Sequence, residues 1–191
     1  LVEKLFETNG MVKPCKAVMA STMKYKDMAS SNPHKLISLR DSLDKELSSG
    51  LIDAFIEAYN KVGVQAYNSE DYEKSISMFL NSQELSSVDT LSKYYLLMAS
   101  GKKKYQSGNK ELLWESIKDF YKASALYPKI GEPFYLIGQS YLKLGDKDFD
   151  LIIESYDKAL SLDVDDELKI SINSSRAEAI RRKDLLKSFW K

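Results

Sequence analysis

Residues 58–85 read AYNKVGVQAYNSEDYEKSISMFLNSQEL, and the periodicities inside that stretch decide the fold. From Ile52 through Phe55, Ile56, Tyr59, Val62, Gly63, Ala66 and Tyr67, apolar and small residues recur at three- and four-residue steps and form one broad helical face. Ser69-Glu70-Asp71 interrupts it with short polar and acidic side chains that satisfy the free N–H groups and the dipole of a new helix. Tyr72, Ile76, Phe79 and Leu80 continue on a second helix, which fades at Leu85 and the Ser86-Ser87 turn. The unit is a helical hairpin.

The chain repeats it. In a second copy Tyr94, Tyr95, Leu97, Met98, Gly101 and Tyr105 share one helix, Gly108-Asn109 turns, and Leu113, Ile117, Phe120 and Ala123 share the next. In a third, Phe134, Ile137, Gly138, Tyr141 and Leu142 precede Gly145-Asp146, followed by Phe149, Ile152, Ile153, Tyr156 and Ala159. Gly63, Gly101 and Gly138 lie 38 and 37 residues apart, a period that marks a solenoid of stacked hairpins.

The flanks are less regular. Leu1 to Glu7 is a short mixed segment closed by the turn pair Asn9-Gly10. Pro14 can open a helix carrying Ala17, Val18, Thr22, Tyr25 and Met28 on one face; Ser30-Ser31-Asn32 breaks it. Pro33 opens another helix, with Leu36, Leu39, Leu43 and Leu47 as its stripe and Ser48-Ser49-Gly50 as its end. From Asp165 a last helix runs nearly to the C-terminus, with Asp166 and Glu167 at its positive end and Arg181, Arg182 and Lys183 towards the other. Leu168, Ile172, Ala179, Leu186 and Phe189 cover one side of it, as expected of a helix that closes the last face of a solenoid. The expected division of one continuous domain is an N-terminal segment and divergent hairpin over 1–50, three repeats over 51–164 (about 52–87, 90–128 and 131–164), and a capping helix over 165–191.

The overall composition agrees with a helical protein. Four prolines and eight glycines cluster between periodic segments, and no run reaches the roughly 18 apolar residues of a membrane-spanning helix. Lys+Arg and Asp+Glu both number 28, so no global field draws in nucleic acid or an anionic membrane. The single Cys15 cannot form an internal disulfide, and one cysteine with one histidine makes a Cys/His metal site untenable. No cofactor is expected. The chain begins at Leu1 without a charged and apolar leader, which suits a cytoplasmic chain or, alternatively, a periplasmic or secreted one whose signal has been cleaved.

The repeat positions resemble the tetratricopeptide repeat family. The first repeat carries Tyr59, Val62-Gly63, Ala66-Tyr67, Tyr72, Ser75, Phe79, Ser82 and Leu85, and the second Leu97, Gly101, Tyr105, Leu113, Ser116, Phe120, Ala123, Leu126 and Pro128. The third has Phe134, Ile137-Gly138, Tyr141, Gly145, Phe149, Tyr156, Ala159 and Leu162. Small residues at Gly63, Ser75, Ser82, Gly101, Ala123, Gly138 and Ala159 let paired helices approach while aromatics fill the space between them. Two departures stand out: about three extra residues near Lys110 to Leu112 and about two near Lys147-Asp148, both expected to lengthen turns within hairpins. Ile152 replaces a small residue, which implies wider helix spacing or a local shift.

The resemblance implies an all-α, right-handed superhelical α-solenoid of about nine helices, whose first helices line a concave groove for a peptide, helix or protein surface. Carried over position by position, that groove comprises Asn60, Val64, Tyr67 and Asn68, then Tyr95, Met98, Lys102, Tyr105 and Gln106, then Tyr135, Gln139, Leu142 and Lys143. Relatives that clamp the acidic C-terminal tails of Hsp70 and Hsp90 chaperones use several converging Lys, Arg and Asn side chains. The corresponding Asn60, Val64, Lys102, Tyr135 and Gln139 include one base, which argues against that role.

Other motifs carry ordinary readings. Asp146-Lys147-Asp148-Phe149-Asp150 begins like a calcium loop, but Leu151 and Asp157 stand where glycine and glutamate are needed, so an acidic helix start is preferred. His34 has no partner nucleophile, and Cys15 reads as a small hydrophobe. Lys102-Lys103-Lys104 and Arg181-Arg182-Lys183 point around their helices and read as solvated faces. Phe189-Trp190 is expected to pack back on the last hairpin. With no phosphate loop, metal set or triad, the expectation is a non-enzymatic interaction scaffold with a tyrosine-rich groove and a protein or peptide partner. The alternative is an assembly module that oligomerises through its last helix or end faces.

Overall fold

The structure is a computed structural model, and residues 23–40, 49–145 and 149–189 are described. Helix α1 occupies 23–31 and α2 Pro33–Ser38. The repeated hairpins follow as α3 (Ser49–Asn68) with α4 (Tyr72–Leu85), α5 (Thr90–Ser107) with α6 (Lys110–Leu126), and α7 (Glu132–Lys143) with α8 (Phe149–Leu160). Helix α9 (Asp166–Phe189) ends the array. Each helix packs on its neighbour in sequence, and the described residues contain no strand, which makes the chain an all-α superhelical solenoid.

Local chemistry starts the helices where the sequence places them. Asn32 Oδ1 accepts from Lys35 N at 3.1 Å, Asp71 Oδ1 from Lys74 N at 3.1 Å, and Asp89 Oδ1 from Leu91 N at 3.1 Å. Asn109 Oδ1 accepts from Glu111 N at 2.8 Å, and Asp165 Oδ1 from Leu168 N at 2.7 Å. Each satisfies N–H groups that the first turn leaves free. Gly108 turns α5 into α6 at φ 69°, a left-handed conformation that a side chain resists.

Three boundaries differ from the sequence expectation. Helix α2 stops at Ser38, where the Leu39 N–H folds back on Leu36 and Ile37 carbonyls in a tightened last turn; the Leu43 and Leu47 positions lie outside the described residues. Ser49 and Gly50 belong to the start of α3 and do not terminate a helix. Lys110 to Leu112 form the first turn of α6, because the Asn109 side chain caps them directly. The extra residues therefore lengthen that helix to 17 residues against 14 in α4, and Gly108-Asn109 remains a tight turn. The Lys147-Asp148 insertion, most of the calcium-like loop, Cys15 and Trp190 lie outside the described residues.

One contact recurs in every hairpin. A Cβ added to Gly63 would lie 2.7 Å from the Phe79 ring, one on Gly101 2.5 Å from Phe120, and one on Gly138 2.5 Å from Tyr156. The first helix is thus notched where an aromatic ring of the second lies across it, and all three rings are fully buried. Phe120 and Tyr156 join Met98, Ile117, Ile137 and Ile152 in a core that continues to Ile172 and Ala179 of α9. A second cluster, with Ala29, Leu36, Phe55 and Ala58, fixes α1 and α2 to α3.

Gly131 marks another close approach. Its N–H donates to the Asp163 carbonyl at 2.9 Å, and Asp163 N–H donates to the Lys129 carbonyl at 2.7 Å. This links the connection after α6 to the connection after α8. A Cβ at Gly131 would sit 2.4 Å from the Ala159 carbonyl oxygen.

Candidate interaction groove

The first helices of the hairpins share one face. A cavity of about 650 Å³ is lined by Tyr67 and Asn68 at the end of α3, Lys102 of α5, Glu132 at the start of α7, and Asp165, Glu167 and Leu168 at the start of α9. Farther back along the same side of α3, a cavity of about 720 Å³ is lined by Asp53, Ile56, Asn60 and Val64, with Leu91 of α5 opposite. At 1.5 Å rise per residue, Asn60 and Asn68 are about 12 Å apart along one helical face.

At the centre of the first cavity three repeats meet. The Tyr67 hydroxyl donates to Glu132 Oε1 at 2.9 Å, and Lys102 Nζ lies 2.8 Å from the same oxygen. That ammonium is also 4.4 Å from the centre of the Tyr67 ring. Lysine is held from two sides, by the carboxylate and by the electron-rich ring face. The arrangement recurs one repeat on: Lys143 Nζ lies 4.3 Å from the centre of the Tyr105 ring and donates to the Tyr105 carbonyl at 2.7 Å.

Burial, reinforced by Glu132, holds the Tyr67 phenol far above its ordinary range. Burial, then Glu70 and Glu132, pushes Tyr72 up to about 12. Tyr94 is raised by burial and Glu132, and Tyr105 by burial and Tyr135. These phenols are neutral at physiological pH, and that of Tyr67 donates to Glu132.

The remaining expected groove positions divide by exposure. Asn68, Gln106 and Lys143 are exposed, and Val64, Tyr105, Tyr135, Gln139 and Leu142 are partly exposed. Asn60 is buried, and its Nδ2 donates to Asp89 Oδ2 at 2.7 Å, tying α3 to the start of α5. Met98 is fully buried, a correction to its place in the groove: it sits among the core residues of the second hairpin, on the inward side of α5. Tyr95 stacks on Phe79 with ring centres 5.5 Å apart and meets Tyr67 edge-on at 5.3 Å. Tyr135 packs 5.9 Å from the buried Tyr156. Gln139 Nε2 donates to Ser175 Oγ at 2.9 Å and so bridges α7 to α9. Several tyrosines expected to be open for contact are therefore braced by neighbouring repeats.

The lysine run behaves differently from a solvated face. Lys102 pairs with Glu132, Lys103 with Glu73 at 3.0 Å, and Lys104 with the buried Asp119 at 2.6 Å, so successive turns of direction deliver each charge to a different element. Arg181 and Arg182 both bond Glu178, which they hold well below the usual carboxylate range, at about 2. Lys183 bonds Asp150. His34 is exposed, and no metal-binding group of His, Cys, Asp and Glu is found among the described residues. No helix of the described residues is long and apolar enough to cross a membrane.

Sequence reasoning missed Glu132 and Leu91. Glu132 follows Gly131 and precedes Pro133, a setting that reads only as an acidic first turn, and Leu91 reads as one more apolar helix residue.

No family model matches the sequence, and no curated protein does. Among solved structures, MamA 41-end from Desulfovibrio magneticus RS-1 matches with a TM-score of 0.55 at 18% identity, covering 87% of this chain and 88% of that one. A structure of MamA AMB-1 matches with a TM-score of 0.52 at 15% identity, covering 85% of this chain and 82% of that one. The likeness extends along nearly the whole array, and it establishes the fold of this chain as a tetratricopeptide-like helical solenoid.

Proposed function

We propose that the protein is a non-enzymatic interaction scaffold that binds a segment of a partner protein along the face formed by α3, α5, α7 and α9. The observation that carries this reading is the run of cavities on that face, with apolar Ile56, Val64 and Leu91 in one and polar Tyr67, Asn68, Lys102 and Glu132 in the next. Apolar surface beside fixed polar groups is the composition of a recognition site. The three-repeat division proposed from the sequence supplies one first helix per repeat, and α9 completes the face.

Suitable test variants follow from the packing. Tyr95→Ala would strip a ring from the Phe79 stack, so lost binding would report lost structure. Asn68→Ala and Gln106→Ala alter exposed side chains. Display of random peptides on phage should enrich binders whose affinity falls with the Asn68→Ala/Gln106→Ala pair and is unchanged by Trp114→Ala, on α6 outside the groove. The reverse pattern would move the site to the other face.

Assembly is the second reading, favoured by Ile170 and Leu185 of α9, which are 71% and 45% exposed. Sedimentation equilibrium on Ile170→Ser/Leu185→Ser decides it: a self-associating wild type dissociated by the pair supports assembly, and a monomer at all concentrations removes it.

A further inference from the structure

The groove reading leaves the chemistry of the partner open, and the two cavities bear on it. The larger one has an apolar wall of Ile56, Val64 and Leu91. Asn60, 8% exposed, belongs to its lining, and Asn60 Oδ1 is a buried acceptor with no donor. A buried carbonyl oxygen without a donor carries a desolvation penalty that an incoming N–H would relieve after a small side-chain adjustment. The bases nearby are engaged elsewhere. Lys61 donates to the Ser30 carbonyl, and Lys102 is tied to Glu132.

The acids are not matched in the same way. Asp53 in the apolar cavity, and Glu70 and Glu167 in its neighbour, form no ion pair among the described residues. The neighbouring Tyr72 phenol is raised first by burial, and Glu70 and Glu132 add to the shift from the same acidic side. Inside the polar cavity Lys102 already shows how a primary ammonium is accommodated there, between a tyrosine face and a carboxylate.

We propose that the groove selects an extended peptide segment with an aliphatic side chain and a lysine or arginine about four residues away. The aliphatic group seats against Ile56, Val64 and Leu91, and a peptide N–H at that point reaches Asn60 Oδ1. The cation lies by Glu70 and Glu167. The spacing follows from the stripe on α3: about 12 Å between Asn60 and Asn68 equals roughly four residues of extended chain at about 3.3 Å each. This inference rests on the interaction-scaffold reading and specifies its partner.

Panning of phage-displayed random decapeptides on the full chain tests it, followed by fluorescence anisotropy with the enriched peptides. The expected sequences pair an aliphatic residue with Lys or Arg at that spacing, and their affinity falls as salt is raised. Glu70→Lys/Glu167→Lys should weaken them about tenfold or more, and Val64→Glu should abolish binding. Val64→Ser serves if circular dichroism shows that the glutamate variant has lost helix. Trp114→Ala should leave affinity unchanged.

Enriched peptides that are acidic or uncharged, or that tolerate the double charge reversal while failing with Val64→Glu, overturn the cationic partner and leave the groove standing. Peptides indifferent to Val64 and both carboxylates, or no enrichment, overturn the inference and the groove together. Self-association that is lost with Val64→Glu would identify a second copy as the occupant and overturn the peptide.

Discussion

The Lys102 ammonium lies 4.4 Å from the centre of the Tyr67 ring and 2.8 Å from Glu132, so one side chain of the second repeat joins the first repeat to the third. Lys102→Met keeps the aliphatic stem and removes the charge. It should destabilise the fold by about 1–2 kcal/mol, since both partners are partly shielded from water. Urea unfolding of Lys102→Met, Glu132→Gln and the double variant should give a coupling of about 0.5–1 kcal/mol. Full additivity would show that the geometry contributes nothing to stability.

Gly101 should resist replacement despite its place inside a helix. Alanine gains about 1 kcal/mol in helix propensity, but its methyl would lie 2.5 Å from the Phe120 ring, and overpacking of that kind costs about 1–3 kcal/mol. Gly101→Ala should therefore lower the thermal midpoint, and adding Phe120→Leu should recover part of the loss. A stabilised single variant would mean that the hairpin relaxes freely.

Asp119 is the buried anion of the second hairpin, accepting from Ser100 Oγ at 3.0 Å and Lys104 Nζ at 2.6 Å. Asp119→Ala strands both donors and should cost about 2–3 kcal/mol. Ser100→Ala removes a single neutral donor and should cost about 1 kcal/mol. Chemical denaturation of the two variants checks the order.

Alkaline pH should unfold the protein through its tyrosines. The folded phenols of Tyr67, Tyr94 and Tyr156 are raised by burial above the ordinary 10.0, and Tyr72 is raised to about 12. Below pH 10 both folded and unfolded phenols are protonated, and the stability is intact. As pH rises past 10 the unfolded chain loses these protons first, so stability falls until the folded phenols ionise. Absorbance of tyrosinate at alkaline pH should rise in two stages, exposed rings first and the buried set together with loss of helix. A single non-cooperative rise without helix loss would contradict the burial.

The hairpins were legible because their cause is local and repeated: glycine on the first helix, an aromatic on the second and, in the first two hairpins, a capping Asp71 or Asn109 between them. Gly63 with Phe79, Gly101 with Phe120 and Gly138 with Tyr156 carry that signal within 16, 19 and 18 residues. The centre of the groove was harder to read. Tyr67 and Glu132 are 65 residues apart, and no periodicity connects a phenol at the end of one helix to an acid at the start of another two repeats later. Met98 was misplaced for a related reason: the family pattern gives a position on α5, whereas the rotation of α5 against α6 decides which neighbours that position meets. The extra residues at Lys110 to Leu112 looked like loop because they exceed the repeat, yet Asn109 can cap a longer helix as readily as a shorter one.

The backbone bonds between Gly131, Asp163 and Lys129 set one joint of the array apart from the others. They tie two successive inter-repeat connections, so the end of the second hairpin and the end of the third are joined through main chain. Between the first and second repeats the described residues show only side-chain links, such as Asn60 to Asp89, at the corresponding connection. Where α3 meets α5 the joint is thus made by side chains, the Asn60–Asp89 bond and the Tyr67–Tyr95 ring pair among them. That joint lies beside the apolar cavity, and Asn60 belongs to both, so one substitution there alters the joint and the wall of the groove together.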